Sequence, residues 1–243
     1  MGATVQYDRL GIPVLEDREI TDAAHDFLSE VDDTSLKTPC IAPIAGIIDY
    51  LETCYNLKIA FDTLGNFDGY TILSRTIFPA NKIYIDIDIV YRNESLFLFT
   101  VAHAVGHWIL HGKKKIRLQQ SNRTLKFVDD SELDFWMDKR LGTPKDLIEH
   151  QANVFATSIL MPKKTFLTAV IVKQMRMGIA RKAGKIYLNQ TSSSVRDFNE
   201  IVSYLHSIFG TSKQSIILRL KSLNILSFSG SKEDESFLYT YMN

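Results

Sequence analysis

Cysteine is nearly missing from this sequence: Cys40 and Cys54 are the only two, and neither lies in a CxxC or Cys/His cluster. A disulfide framework and a thiolate metal site are therefore excluded as organising features. Excess charge of one sign is missing too. With 28 Lys and Arg against 28 Asp and Glu, no overall field draws the chain to nucleic acid or to an anionic membrane. No stretch approaches the roughly 18 consecutive apolar residues of a membrane span, and the opening MGATVQYDRL contains no apolar signal core. The expectation is a cytoplasmic protein without a membrane partner. Repeats and low-complexity tracts are absent as well. What remains is an ordinary globular composition, 45% hydrophobic over 243 residues, enough for one large domain or a medium one with a small companion.

Periodicity assigns most of the chain. Ile20, Ala23, Ala24, Phe27 and Leu28 recur at helical spacing within 19–31, and a second helix is expected over 44–55. Short β-rich runs follow at 57–61 and 70–73, with turn residues between them at 65–69. Over 82–91 the alternation is regular, with Ile83, Ile85, Ile87 and Ile89 on one face and Tyr84, Asp86 and Asp88 on the other. This predicts a strand buried on one side. From Leu96 the pattern becomes a mostly buried helix ending near Gly112. Residues 113–144 are polar, with Lys113, Lys114, Lys115, Arg117, Arg123 and Lys126 preceding an acidic group, and read as a long loop with one helical turn. A helix over 145–160 stops at Pro162, which cannot continue it. The remainder is mainly helical, with a turn or short hairpin in the Gly-, Lys- and Ser-rich stretch 178–194.

The chemistry concentrates on two of these helices. His103 and His107 are four apart, hence roughly 40° from one another around the helix and one turn along, so both imidazoles can reach one ion. The same spacing also describes ordinary core histidines. Its neighbours tip the balance, because the 145–160 helix offers Glu149 and, one turn on, Asn153. Two histidines and a carboxylate leave the fourth zinc position open, as a catalytic site requires, while Asn153 can hydrogen-bond a ligand histidine from behind. Other third ligands fit less well. The position six past His107, where a metzincin has histidine, is Lys113; His111 drifts roughly 80° from His103, and His150 points about 100° away from Glu149.

The two segments F-T-V-A-H-A-V-G-H-W-I-L-H (99–111) and E-H-Q-A-N-V-F-A-T-S-I-L-M-P (149–162) resemble the paired motifs of the ImmA/IrrE family of metallopeptidases. The likeness extends over about 20–162. It implies a gluzincin-like zinc peptidase that cuts repressor proteins, with His103, His107 and Glu149 as ligands of one zinc ion. One position departs from the pattern. Ala104 stands where the HExxH glutamate would take a proton from the attacking water and pass it to the leaving amine. Alanine can do neither, so metal binding should survive while turnover falls. Because pseudo-enzymes usually lose ligands as well, the intact ligand set favours a Glu→Ala replacement in a working enzyme over a natural pseudo-enzyme.

Zinc peptidases of this architecture hold an extended substrate against a sheet-edge strand. The 82–91 strand, with Tyr84, Asp86 and Asp88 on its polar face, is the candidate. Near the C-terminus, Val195, Phe198, Ile201, Val202, Leu205 and Ile208 mark a helix over 194–209. Gly210 turns the chain, and Thr211 or Ser212 can cap a second helix over 213–223 that buries Ile216, Ile217 and Leu220 and exposes Lys213, Gln214, Arg219 and Lys221. That is a helix-turn-helix shape. With few basic residues on it, a structural or repressor-docking role is favoured over DNA.

The expected architecture is therefore α+β. A zincin-like domain over 1–177, with a small antiparallel or mixed sheet on helices, precedes a helical, helix-turn-helix-like domain over 178–243. The expected activity is zinc-dependent cleavage of a repressor-type protein, inactive in this form; the alternative is a non-catalytic zinc-binding regulator of a repressor or DNA.

Overall fold

The computed structural model describes residues 6–7, 13–67, 70–112, 124–128, 144–179, 183–189 and 191–228. It is α+β, mostly helical with a small mixed sheet. Two compact units emerge, one from Met1–Asp33 and Pro43–Leu160, the other from Thr34–Ala42 and Met161–Asn243. The boundary expected at 177/178 falls inside the second unit. Among the described residues no single helix is long and apolar enough to cross a membrane.

In the first unit a short antiparallel pair, β1 (Gln6–Tyr7) and β2 (Pro13–Val14), leads into α1 (Asp17–Val31). Glu19 fixes the start of α1 by accepting from the Glu16 amide at 2.8 Å. The face predicted from its spacing is the face it buries, through Ile20, Ala24, Phe27 and Leu28. Helix α2 (Thr34–Lys37) belongs to the other unit, and α3 (Ile44–Tyr55) ends at Asn56 in the left-handed conformation. The sheet contains β3 (Lys58–Asp62), β4 (Asn66–Phe67), β5 (Tyr70–Ile77), β6 (Lys82–Asp86) and β7 (Thr124–Val128). β6 runs parallel to β3 and antiparallel to β5, and β5 also pairs antiparallel with β4 and with β7.

This arrangement corrects the reading of 82–91. The strand stops at Asp86, whose Oδ1 accepts from the Asp88 amide at 3.0 Å and whose Oδ2 accepts from the Leu64 amide at 2.9 Å. An aspartate so placed starts a helix, here α4 (Ile87–Arg92). Isoleucine alternation continues in the sequence, but the capping side chain overrides it. Nor is β6 an edge strand. Both its rows of backbone groups are paired, so no substrate can add to it. The stretch 124–128, read as loop, is strand β7; residues 113–123 and 129–143 lie outside the described residues.

Helix α5 (Glu94–His107) is started by Asn93, which accepts from the Leu96 amide at 3.0 Å, and passes into a π-helical turn over Trp108–Gly112. Every residue from Leu98 to His107 is buried. Trp108 packs as a core residue, its ring 5.3 Å from Tyr55 and its Nε1 donating to Asn81 Oδ1 at 2.9 Å. Helix α6 (Pro144–Leu160) lies against α5. Gly106 lets them meet. A Cβ there would stand 3.1 Å from Phe155 Cδ1 and 3.2 Å from the Ala152 carbonyl oxygen, and Phe155 is itself fully buried. Gly106→Ala is therefore expected to destabilise by about 1–3 kcal/mol, outweighing roughly 1 kcal/mol of helix propensity gained. Denaturant unfolding reads this directly, and an unchanged or raised midpoint would show that the contact can relax.

The second unit holds α2, α7 (Lys163–Arg176), β8 (Ile186–Leu188), α8 (Ser192–Phe209), α9 (Lys213–Ser222) and β9 (Leu226–Phe228). Thr165 Oγ1 donates to the Ser35 carbonyl at 2.9 Å, tying 34–42 to this unit. Within 178–194 the described residues turn at Gly178 and again at 183–184, as expected, and form no hairpin; β8 pairs in parallel with β9. Gly210, at φ 67°, ends α8, and Ser212 caps α9 through the Ser215 amide at 3.1 Å. Helix α9 keeps part of the polar face expected of it, with Lys213 exposed and Gln214 and Lys221 half-buried, but not Arg219. Residues 215–220 are all buried, Arg219 included, with its Nε donating to the Met161 carbonyl at 3.1 Å.

Candidate metal centre

Helix α5 delivers His103 and His107 to one side, and α6 brings Glu149 to meet them. The close crossing at Gly106 is what lets a carboxylate on one helix reach imidazoles on the other. His103 Nε2 and His107 Nε2 are 2.9 Å apart, and Glu149 Oε2 lies 3.1 Å from the first and 3.3 Å from the second. All three residues are buried, at 0%, 2% and 4% exposure. Among the described residues this is the one His/Cys/Asp/Glu group able to hold a metal ion. Asn153, one turn after Glu149, stands behind His103, its Oδ1 2.8 Å from Nδ1.

Protonation states suit a cation. Burial, and then the neighbouring His107, hold His103 below the ordinary imidazole range. Burial alone would push Glu149 up, but its place beside His107 and His103 overrides this and takes the carboxyl below its usual range. A free-base imidazole beside an ionised carboxylate is what a divalent ion needs.

The 3.1 Å approach of His103 to Glu149 is consequently not an ion pair. A neutral His103 has one ring proton, and Asn153 Oδ1, which can only accept, takes it at Nδ1. Nε2 then presents a lone pair to the carboxylate oxygen. Glu149 Oε1 is buried without a hydrogen-bond partner among the described residues. Such a cluster is electrostatically incomplete, because buried polar atoms normally find partners.

Other expected site residues are elsewhere. Tyr84 is half-buried on β6 with Lys82 Nζ 4.3 Å over its ring, Asp86 is the buried cap of α4, and Asp88 pairs with Arg92 at 3.0 Å on that helix. None offers backbone to a peptide. His150 turns away to Asp17 Oδ1 at 2.8 Å. Ala104 is fully buried.

Two polar residues here received no role from the sequence. His111, considered only as a ligand, is buried 3.4 Å from His107 through their Nδ1 atoms, and Gln151 Oε1 lies 2.9 Å from His111 Nε2. The available signal was the continuing i, i+4 stripe His103, His107, His111. Burial, and then His107, hold the His111 imidazole down at about 3. In the unfolded chain it titrates at about 6.5, so between those values the unfolded state binds the extra proton. Stability of the metal-free protein should therefore be fully present above about pH 6.5 and fall by roughly 1.4 kcal/mol per pH unit down to about pH 3 from this group alone. Urea unfolding across that window should show a steeper slope in the parent than in His111→Phe, where only the contribution of the also depressed His103 remains of the two.

Compared with known proteins, the chain matches no protein-family model and no curated protein.

Proposed function

We propose that this chain is a zinc-metallopeptidase domain, similar to the ImmA/IrrE family, held in a non-cutting form by Ala104. One observation carries this: three lone-pair donors, His103 Nε2, His107 Nε2 and Glu149 Oε2, converge within 3.3 Å in a buried place. Zinc bonds of about 2.0–2.1 Å in tetrahedral arrangement separate neighbouring donors by about 3.3 Å. The donor set fits. Two imidazoles with one carboxylate form a catalytic rather than a closed structural set, and Glu149 Oε1, without a hydrogen-bond partner among the described residues, leaves a demand for positive charge there.

A zinc ion, when bound, supplies a Lewis acid for the peptide carbonyl and an acidified water. The chain's own groups do the rest. Asn153 fixes the ring of His103, Glu149 lends negative charge, and the buried α5–α6 walls exclude bulk water. At position 104, next to His103, alanine offers no base. The motif resemblance points to a repressor-type regulatory protein as substrate.

Ala104 itself favours a second reading, a non-catalytic zinc-binding regulator that holds a repressor. DNA is the less favoured partner, since α9 buries residues 215–220, Arg219 among them, and leaves few basic side chains to face a major groove. Elemental analysis of the purified chain tests the common premise, with one zinc per chain expected and an EDTA-sensitive thermal midpoint. A metal-free chain whose midpoint ignores zinc would end both readings. Salt-sensitive DNA binding would restore the DNA branch of the second.

A further inference from the structure

We infer that His111 and Gln151 are positioning residues that carry hydrogen-bond polarity from the N-terminal strand β2 to His107, fixing which of its ring nitrogens faces the metal. This rests on the metal-centre reading above.

The polarity starts at a group with no choice. A backbone carbonyl only accepts, so the Pro13 carbonyl, 2.7 Å from Gln151 Nε2, fixes the orientation of that buried amide. Gln151 Oε1 then faces His111 Nε2 at 2.9 Å and must receive its proton. A neutral His111 has no second ring proton. Its Nδ1 is bare and accepts from His107 Nδ1, 3.4 Å away. With the proton of His107 drawn to Nδ1, its Nε2 is left bare, facing His103 Nε2 and Glu149 Oε2.

Each member is buried, so water cannot substitute for a lost partner: Gln151 is 0% exposed and His111 2%. The two ligand histidines thus have separate backing. Asn153 on α6 sets His103, whereas His107 is set through α6 from a strand far away in sequence. Partners of this kind typically contribute 10- to 100-fold to metal affinity.

Two readouts on the full chain test the relay. Histidine nitrogen chemical shifts of the metal-free protein at about pH 9, where free imidazoles are neutral, should show His107 protonated at Nδ1. Zinc affinity, measured by chelator competition, should fall 10- to 100-fold in His111→Phe, with His107 becoming a mixture of tautomers. His111→Asn, whose amide oxygen can stand in for Nδ1, should recover most of both. Gln151→Leu should act in the same direction as His111→Phe and serves if that variant does not fold. Weaker zinc binding with an unmoved His107 tautomer would mark His111 as packing only and overturn the relay, as would unchanged affinity. Failure of the parent chain to bind zinc would instead sink the metal-centre reading itself.

Discussion

Ala104→Glu is expected to raise zinc-dependent cleavage of a repressor-type protein by about 10²- to 10⁴-fold over the parent chain. That range is what a positioned acid–base group contributes, and a carboxylate beside His103 would be such a group. The parent is expected to bind zinc and cut at a trace rate, since the metal alone still acidifies water. Ala104 is fully buried, so the longer side chain must find room in a packed helix. Ala104→Gln separates room from chemistry. Glutamine has the volume of glutamate without its basicity, so it should fold and bind zinc as Ala104→Glu does yet remain as slow as the parent. Cleavage by gel and mass spectrometry, with and without chelator, reads the outcome. If Ala104→Glu binds one zinc and cuts no candidate repressor, the peptidase proposal loses its main support, and the non-catalytic regulator becomes the better account.

How far the sequence discloses this arrangement depends on the range of the interaction. His103 and His107 share a helix, and helical pitch turns their spacing into geometry, so that half of the cluster is legible from four residues. Glu149 and Asn153 are legible in the same way on α6. Gly106, which brings the two helices together, reads locally only as a poor helix former. Long-range partners hide the rest. Asp86 looks like the polar face of a strand until the Leu64 amide, 22 residues away, joins Asp88 in binding its carboxylate. Strand order is hidden for the same reason, since nothing within 82–86 tells that β3 and β5 flank it. A helical wheel places Arg219 on an exposed face, but the Met161 carbonyl draws its guanidinium inside. Thr34–Ala42 joins the second unit through contacts such as Ser35 with Thr165, at a separation of 130 residues. Gln151 shows only as one polar residue between Glu149 and Asn153 until Pro13 and His111 are placed on either side of it.

Glu149→Gln is expected to lower zinc affinity by more than the 10- to 100-fold that loss of a mere partner costs, because it removes a donor and the one negative charge of the cluster. The consequence for stability follows by mass action. Zinc at a thousand times its Kd stabilises the parent by about 4.1 kcal/mol. Raising Kd a hundredfold at the same zinc concentration leaves about 1.4 kcal/mol. At roughly 2–4 °C per kcal/mol for a domain of this size, the zinc-induced rise in thermal midpoint should shrink by at least about 5 °C. Acid behaviour supplies an independent mark. The folded-state pKa of Glu149 is depressed, so its stabilising contribution is present above the ordinary carboxylate range and is lost as pH falls through the depressed value. The metal-free parent should therefore carry an acid limb below about pH 4.5, and Glu149→Gln should flatten it. The His111 slope at higher pH should remain in both proteins, which separates the two groups in one titration. If Glu149→Gln keeps its zinc affinity within about tenfold of the parent, the third donor lies elsewhere and the proposed ligand set fails.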